Sequence, residues 1–131
     1  MRRVVVTGLG IVSSIGNNAT EVVSSLKQGK SGIVASTEMQ EHGFRSQIAG
    51  TLKLDVAEHI DKRTLRFMGP GAAYAYIAMD QAIADAGLDE GQISNPRTGL
   101  IAGSGGPSTS AMKVAHDVVD KTGATKRIGP F

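Results

Sequence analysis

The sequence predicts an α/β layered fold with a largely parallel sheet, and three observations carry that expectation. The chain opens on a β-branched run, "RRVVVTGLGIVSSIG", with no helical period. Its centre holds the strongest helical signal, "HIDKRTLRFMGPGAAYAYIAMDQAIADAGL". A second short apolar run, "RTGLIAGSGGPSTS", then spills into glycines as the first one does. Strand, helix, helix, strand, helix in that order implies layered α/β packing.

Taken in order, Arg3 to about Ser14 reads as a buried strand, and Gly16-Asn17-Asn18 as a turn. "NATEVVSSLKQGKSG" reads as a short helix capped by Asn18 or Thr20. Val22, Val23 and Leu26 form its apolar stripe, and Gly29 stops it. The stretch from Ser31 to Val56 has weak periodicity and reads as a long excursion with one short strand near Gln47–Leu52. A first helical turn or two runs from Asp61 to Met68 and is interrupted at Gly69-Pro70-Gly71. An alanine-rich helix then continues to Ala86 and ends at Gly87, its alanines allowing close approach by a neighbouring element. The second strand follows, and a last helix spans about Ser110 to Lys121.

Composition narrows the function classes. With 131 residues, 40% of them hydrophobic, the chain suits one ordinary domain whose core is built from aliphatic side chains, since only three Phe and two Tyr are present. A formal charge of +2 with few aromatics among the basic residues argues against nucleic-acid binding. There is no cysteine, so this chain offers no disulfide, thiolate metal site or cysteine nucleophile, which suits a reducing compartment. The run after Arg2-Arg3 breaks at Thr7-Gly8 before a secretory leader forms, and no segment approaches transmembrane length. A cytoplasmic protein without a membrane partner is expected.

Five patterns invite chemistry. Gly8-Leu9-Gly10 after a valine run suggests a dinucleotide turn, but Ser13 stands at the third glycine position and the helix begins only near Asn18. Glycines at which another element crosses close to the strand explain the pattern better. "GKS" at Gly29-Lys30-Ser31 echoes a phosphate loop, yet it follows a helix and Ser24 replaces the required first glycine. "AGSGG" (Ala102–Gly106) approximates a nucleophile elbow with His116 and Asp117 downstream, which keeps an acyl hydrolase as a third hypothesis. Against it, a full hydrolase needs a larger sheet than this chain supplies. His42, His59 and His116 stand far apart without metal-ligand spacing, so no metal or other cofactor is expected. Finally, Lys62, Arg63 and Arg66 share a helix face, which is either a solvated surface or a docking patch for an acidic partner.

"RRVVVTGLGIVSSIGNN", "DKRTLRFMG", "QAIADAGL" and "NPRTGLIAGSGG", in that order, resemble the opening of bacterial β-ketoacyl-acyl carrier protein synthases of type I. "GLIAGSGG" with "RFMG" points to type I over type II. The likeness runs from Met1 to Phe131. It implies the N-terminal part of a thiolase-like α-β-α-β-α sandwich with a mixed, largely parallel sheet, in an enzyme that is a homodimer. It implies a reaction that joins an acyl group to malonyl-carrier protein with decarboxylation, using acyl and malonyl thioester substrates. The family's nucleophile is a cysteine at a helix N-terminus, assisted by two histidines. Those motifs belong beyond Phe131, so the resemblance assigns no catalytic residue here. The chain is expected to be about the first third of such an enzyme: a fragment, a truncated product or an incomplete sequence. By the same resemblance Arg45, Lys62, Arg63, Arg66, Lys126 and Arg127 match basic positions that face the acidic acyl carrier protein. Gly106 matches a small residue beside the acyl tunnel, and the segment after Pro107 matches helical structure near the dimer interface. A non-catalytic thiolase-like binding or assembly module is the alternative.

Overall fold

The computed structural model describes residues 3–129; Met1, Arg2, Pro130 and Phe131, the ends of the expected 1–131 span, lie outside them. In chain order the elements are α1 (Ala19–Lys27), β1 (Ile33–Ala35), α2 (Thr37–Glu41), β2 (Ile48–Gly50), a 3-10 turn at Val56–Glu58, α3 (Lys62–Leu65), α4 (Pro70–Ala86), α5 (Glu90–Ile93) and α6 (Thr109–Thr122). The chain divides into two units, Met1–Leu54 with Ala78–Gly87, and Asp55–Ile77 with Leu88–Phe131.

In the first unit α1 starts where Asn18 Oδ1 accepts from the Glu21 amide at 3.0 Å. The Glu21 carboxylate answers by accepting from the Asn17 amide at 2.8 Å. Two orphan donors are thereby satisfied at once. Val22 and Ser25 are buried, and the Ser25 hydroxyl donates to the Ile15 carbonyl at 2.6 Å. Gly29 ends the helix at φ +61°, with the Lys30 amide returning to the Ser25 carbonyl at 2.9 Å. That is the left-handed stop glycine makes cheap, so the "GKS" echo is a helix terminus. The excursion that follows is more ordered than its periodicity suggests. β1 pairs antiparallel with β2 in the register Ile33↔Gly50, Val34↔Ala49, Ala35↔Ile48, and α2, capped by Ser36, stands between them.

The opening segment departs from the expected buried strand. Among the described residues its one ladder contact is the bridge Ser13↔Gly16. Val4, Val5 and Val6 are exposed, Val4 to 92%. A strand exists only where a neighbour takes its backbone groups, and none runs beside residues 3–12 among the described residues. The last turns of α4 cover the part that is held. A Cβ on Gly8 would strike the Ala82 carbonyl and lie 2.8 Å from the Ala86 Cβ; one on Gly10 would strike the Ala78 carbonyl and lie 2.9 Å from the Ala82 amide. The two glycines are therefore a close-approach site, and the Leu9 amide between them is bonded to the Asp85 carboxylate at 2.9 Å. The Leu9 amide is thus already taken, and by a carboxylate, which is a poor setting for a pyrophosphate.

In the second unit the buried residues are Ile60, Ala73 and Ile77. α4 begins at Pro70, whose fixed φ suits a first helical position. Gly69 just before it lies so close to Ser108 that an added Cβ would sit 3.0 Å from the Ser108 Cβ. α5 carries a reciprocal cap between Asp89 and Gln92, and α6 runs from its Ser108 cap to Gly123 at φ +64°. The run expected as the second strand, residues 98–106, forms no ladder among the described residues; Leu100 is exposed and Ile101 is 97% exposed. The sheet among the described residues is thus the short antiparallel pair, and the expected parallel strands find no partner within them.

Candidate functional site

α3 assembles the basic cluster. Asp61 caps it: Oδ1 accepts from the Arg63 amide at 2.8 Å and the Thr64 amide at 3.3 Å, and Oδ2 accepts from the Thr64 hydroxyl. The Thr64 hydroxyl first, then these two amides, hold the Asp61 carboxyl below its ordinary value of 3.8. The cap fixes the turn, so Lys62, Arg63 and Arg66 emerge together and exposed, with Lys62 and Arg66 one helical turn apart. The Arg66 guanidinium lies 5.2 Å from the centroid of the exposed Phe67 ring, which restrains that side chain by a cation–π contact. None of the three forms an ion pair among the described residues.

The other expected docking residues sit on separate supports. Lys126 and Arg127 are exposed in a turn closed by the Ile128 amide on the Thr125 carbonyl at 3.0 Å, in the same unit as α3. Arg45 is exposed in the loop between α2 and β2, in the other unit.

Gly106 lines a cleft of about 790 Å³ in the second unit, between the start of α4 and the loop carrying Ala102, Gly103 and Ser104. A Cβ at Gly106 would meet nothing within 4 Å, so its smallness serves the open space beside it. The Ser104 hydroxyl donates to the Gly106 carbonyl at 2.7 Å, while His116 pairs with Asp120 at 3.2 Å. No histidine hydrogen-bonds Ser104 among the described residues, and no strand leads into it, so the elbow reading has neither base nor scaffold. Among the described residues no three His, Asp or Glu gather as a metal set, and no helix is long and apolar enough to cross a membrane.

Sequence reasoning missed Asp61 as the cap behind the cations, although Asp followed by Thr three residues later is a cap signal. It also missed Gln81 and Asp85, which reach back some 70 residues to the opening segment.

Residues 1–130 match the family model described as Beta-ketoacyl synthase, N-terminal domain, and the chain belongs to that family. It is 55% identical over 131 residues to 3-oxoacyl-[acyl-carrier-protein] synthase 1 of Haemophilus influenzae. It is 49% identical over 132 residues to the synthase of the same name from Escherichia coli strain K12. Each match covers all of this chain and 32% of the relative, so the chain spans about a third of their length. Among solved structures, the ishigamide ketosynthase/chain length factor aligns with a TM-score of 0.80 at 27% identity, over 96% of this chain and 32% of that one. The thiolase-like α/β class expected from the sequence is thereby supported, although no parallel strands pair among the described residues.

Proposed function

We propose that residues 1–131 are the N-terminal portion of a fatty-acid condensing enzyme, a 3-oxoacyl-acyl carrier protein synthase, ahead of its nucleophile region. The whole-chain identity of 55% to a synthase of that name is the observation that carries this reading. The enzyme joins acyl groups to malonyl-acyl carrier protein with decarboxylation, as a cytoplasmic homodimer. Nothing in these 131 residues forms the acyl thioester, since they contain no cysteine. Their part is recognition. Arg45, Lys62, Arg63, Arg66, Lys126 and Arg127 engage the acidic carrier protein, and Gly106 keeps space beside the acyl tunnel. The exposure of Lys62, Arg63 and Arg66 on a capped turn, with no ion pair among the described residues, supports the first role, because several cations together steer an acidic partner at low individual cost. A cleft lined largely by glycine, alanine and proline supports the second.

The alternative is a non-catalytic thiolase-like binding or assembly module of the same family. Steady-state kinetics on the full-length protein separate the two. Arg63→Glu with Arg66→Glu is expected to raise KM for carrier-protein substrates by about tenfold while a small thioester substrate is little affected. Equal loss with both substrates refutes docking, and no condensation by the intact unsubstituted protein favours the assembly module.

A further inference from the structure

We propose that Gln81 and Asp85 act as a strand-edge stop, occupying the backbone N–H groups of Leu9 and Ile11 so that an incoming strand cannot pair with the opening segment beyond Thr7. Gly8 and Gly10 both meet α4 while Leu9 and Ile11 both present amides to its side chains. Alternation with a period of two is the property of an extended chain. In such a chain the amides of residues two apart point to the same edge, the edge an incoming strand would need.

The helix matches that edge in spacing and in side. Gln81 and Asp85 are four residues apart, about 6 Å along a helix axis, and Leu9 and Ile11 are two apart, about 6.6 Å along a strand. Ala78, Ala82 and Ala86 form the stripe beneath the glycines. Gln81 and Asp85 lie about 60° to one side of it, so they reach round to the edge and not under the segment. The Asp85 carboxylate takes the Leu9 amide at 2.9 Å, and Gln81 Oε1 takes the Ile11 amide at 3.1 Å. Gln81 Nε2 donates to the Asn17 carbonyl at 2.7 Å, which orients the amide so that its oxygen faces Ile11. The amides of Val5 and Thr7, on the same edge by parity, have no such partner among the described residues. Side chains from a helix thus do at residues 9–11 what bulges and charges do at protected sheet edges.

Site-resolved amide hydrogen exchange on the full chain tests the stop, with the Val22 amide of α1 reporting global opening. Leu9 and Ile11 are expected to exchange at least about tenfold more slowly than Val5 and Thr7. Asp85→Ala is expected to speed Leu9 by about tenfold and leave Ile11 and Val22 unchanged; Asp85→Asn, which keeps an acceptor oxygen, is expected to restore the slow rate. Gln81→Ala is expected to release Ile11 in the same selective way. A stop, unlike a mere packing bond, also predicts that Gln81→Ala with Asp85→Ala increases concentration-dependent self-association while Asp85→Asn does not. Fast exchange at Leu9 in the unsubstituted chain overturns the proposal, as does a Val22 rate that rises in step with Leu9. So does unchanged self-association in the double variant.

Discussion

The two apolar runs that spill into glycines, residues 3–14 and 98–106, look alike in sequence and end up in opposite circumstances. Gly8 and Gly10 are pressed against the backbone of α4, so that even one added carbon would collide. Gly99, Gly103, Gly105 and Gly106 meet nothing within 4 Å of where a Cβ would stand. Glycine after a valine or isoleucine run therefore does not by itself announce packing or a ligand. What distinguishes the first run is its complement, an alanine stripe at positions 78, 82 and 86 flanked by two side chains that take its amides. Close approach belongs to a pair of elements, and one of them cannot be read without the other.

The contrast is broken most directly by filling the glycines. Gly10→Val is expected to cost about 3 kcal/mol or to displace the segment, because the atoms it meets are backbone and cannot rotate away. Gly103→Val is expected to change stability by less than about 0.5 kcal/mol. Denaturant midpoints compare the two, and equal costs would abolish the distinction.

A smaller effect sharpens what the runs share, since each leaves apolar side chains bare: Val4, Val5 and Val6 in one, Leu100 and Ile101 in the other. Exposed adjacent apolar residues favour association. Val5→Lys with Ile101→Lys is expected to raise the soluble fraction of the isolated 131-residue chain severalfold with its melting profile unchanged. A lowered melting temperature would mean that these side chains are covered.

The smallest expected effect is on α3, which depends on a single carboxylate. Because the folded-state pKa of Asp61 lies below its ordinary 3.8, its contribution is fully present above that value and is lost as pH falls through the lowered one. Protection of the Arg63 and Thr64 amides, relative to their intrinsic exchange at each pH, should fall as pH drops below 3.8. In Asp61→Asn that acid-dependent loss of protection should disappear.

Local signals made much of the architecture legible. Asn18 before α1, Gly29 and Gly87 after their helices, and the break at Gly69-Pro70-Gly71 ahead of the long α4 run all act within a turn of themselves. Lys62, Arg63 and Arg66 were readable for the same reason. Illegible were the features made by distant partners. β1 is three residues long and exists through pairing with β2, and α2 between them is too short to show a period. The expected strands at residues 3–14 and 98–106 carry the right residues and, among the described residues, lack the neighbours that turn propensity into a ladder. Gln81 and Asp85 look like ordinary polar positions on an alanine-rich helix until residues 9 and 11 are brought to them.

Asp85 also stands in a poor place for the helix that bears it. It is the penultimate residue of α4, a helix with no lysine or arginine, where the aligned peptide dipoles leave partial negative charge. A carboxylate there opposes the helix by about 0.5 kcal/mol, and a lysine would favour it by a similar amount. A peptide of residues 70–87 should therefore gain helicity on Asp85→Lys, while the whole chain loses the acceptor for Leu9. The preference of the part and the preference of the whole point in opposite directions at this residue. Asp85 is thus a site of local frustration, held in an unfavourable helical setting by a contact 76 positions away in sequence.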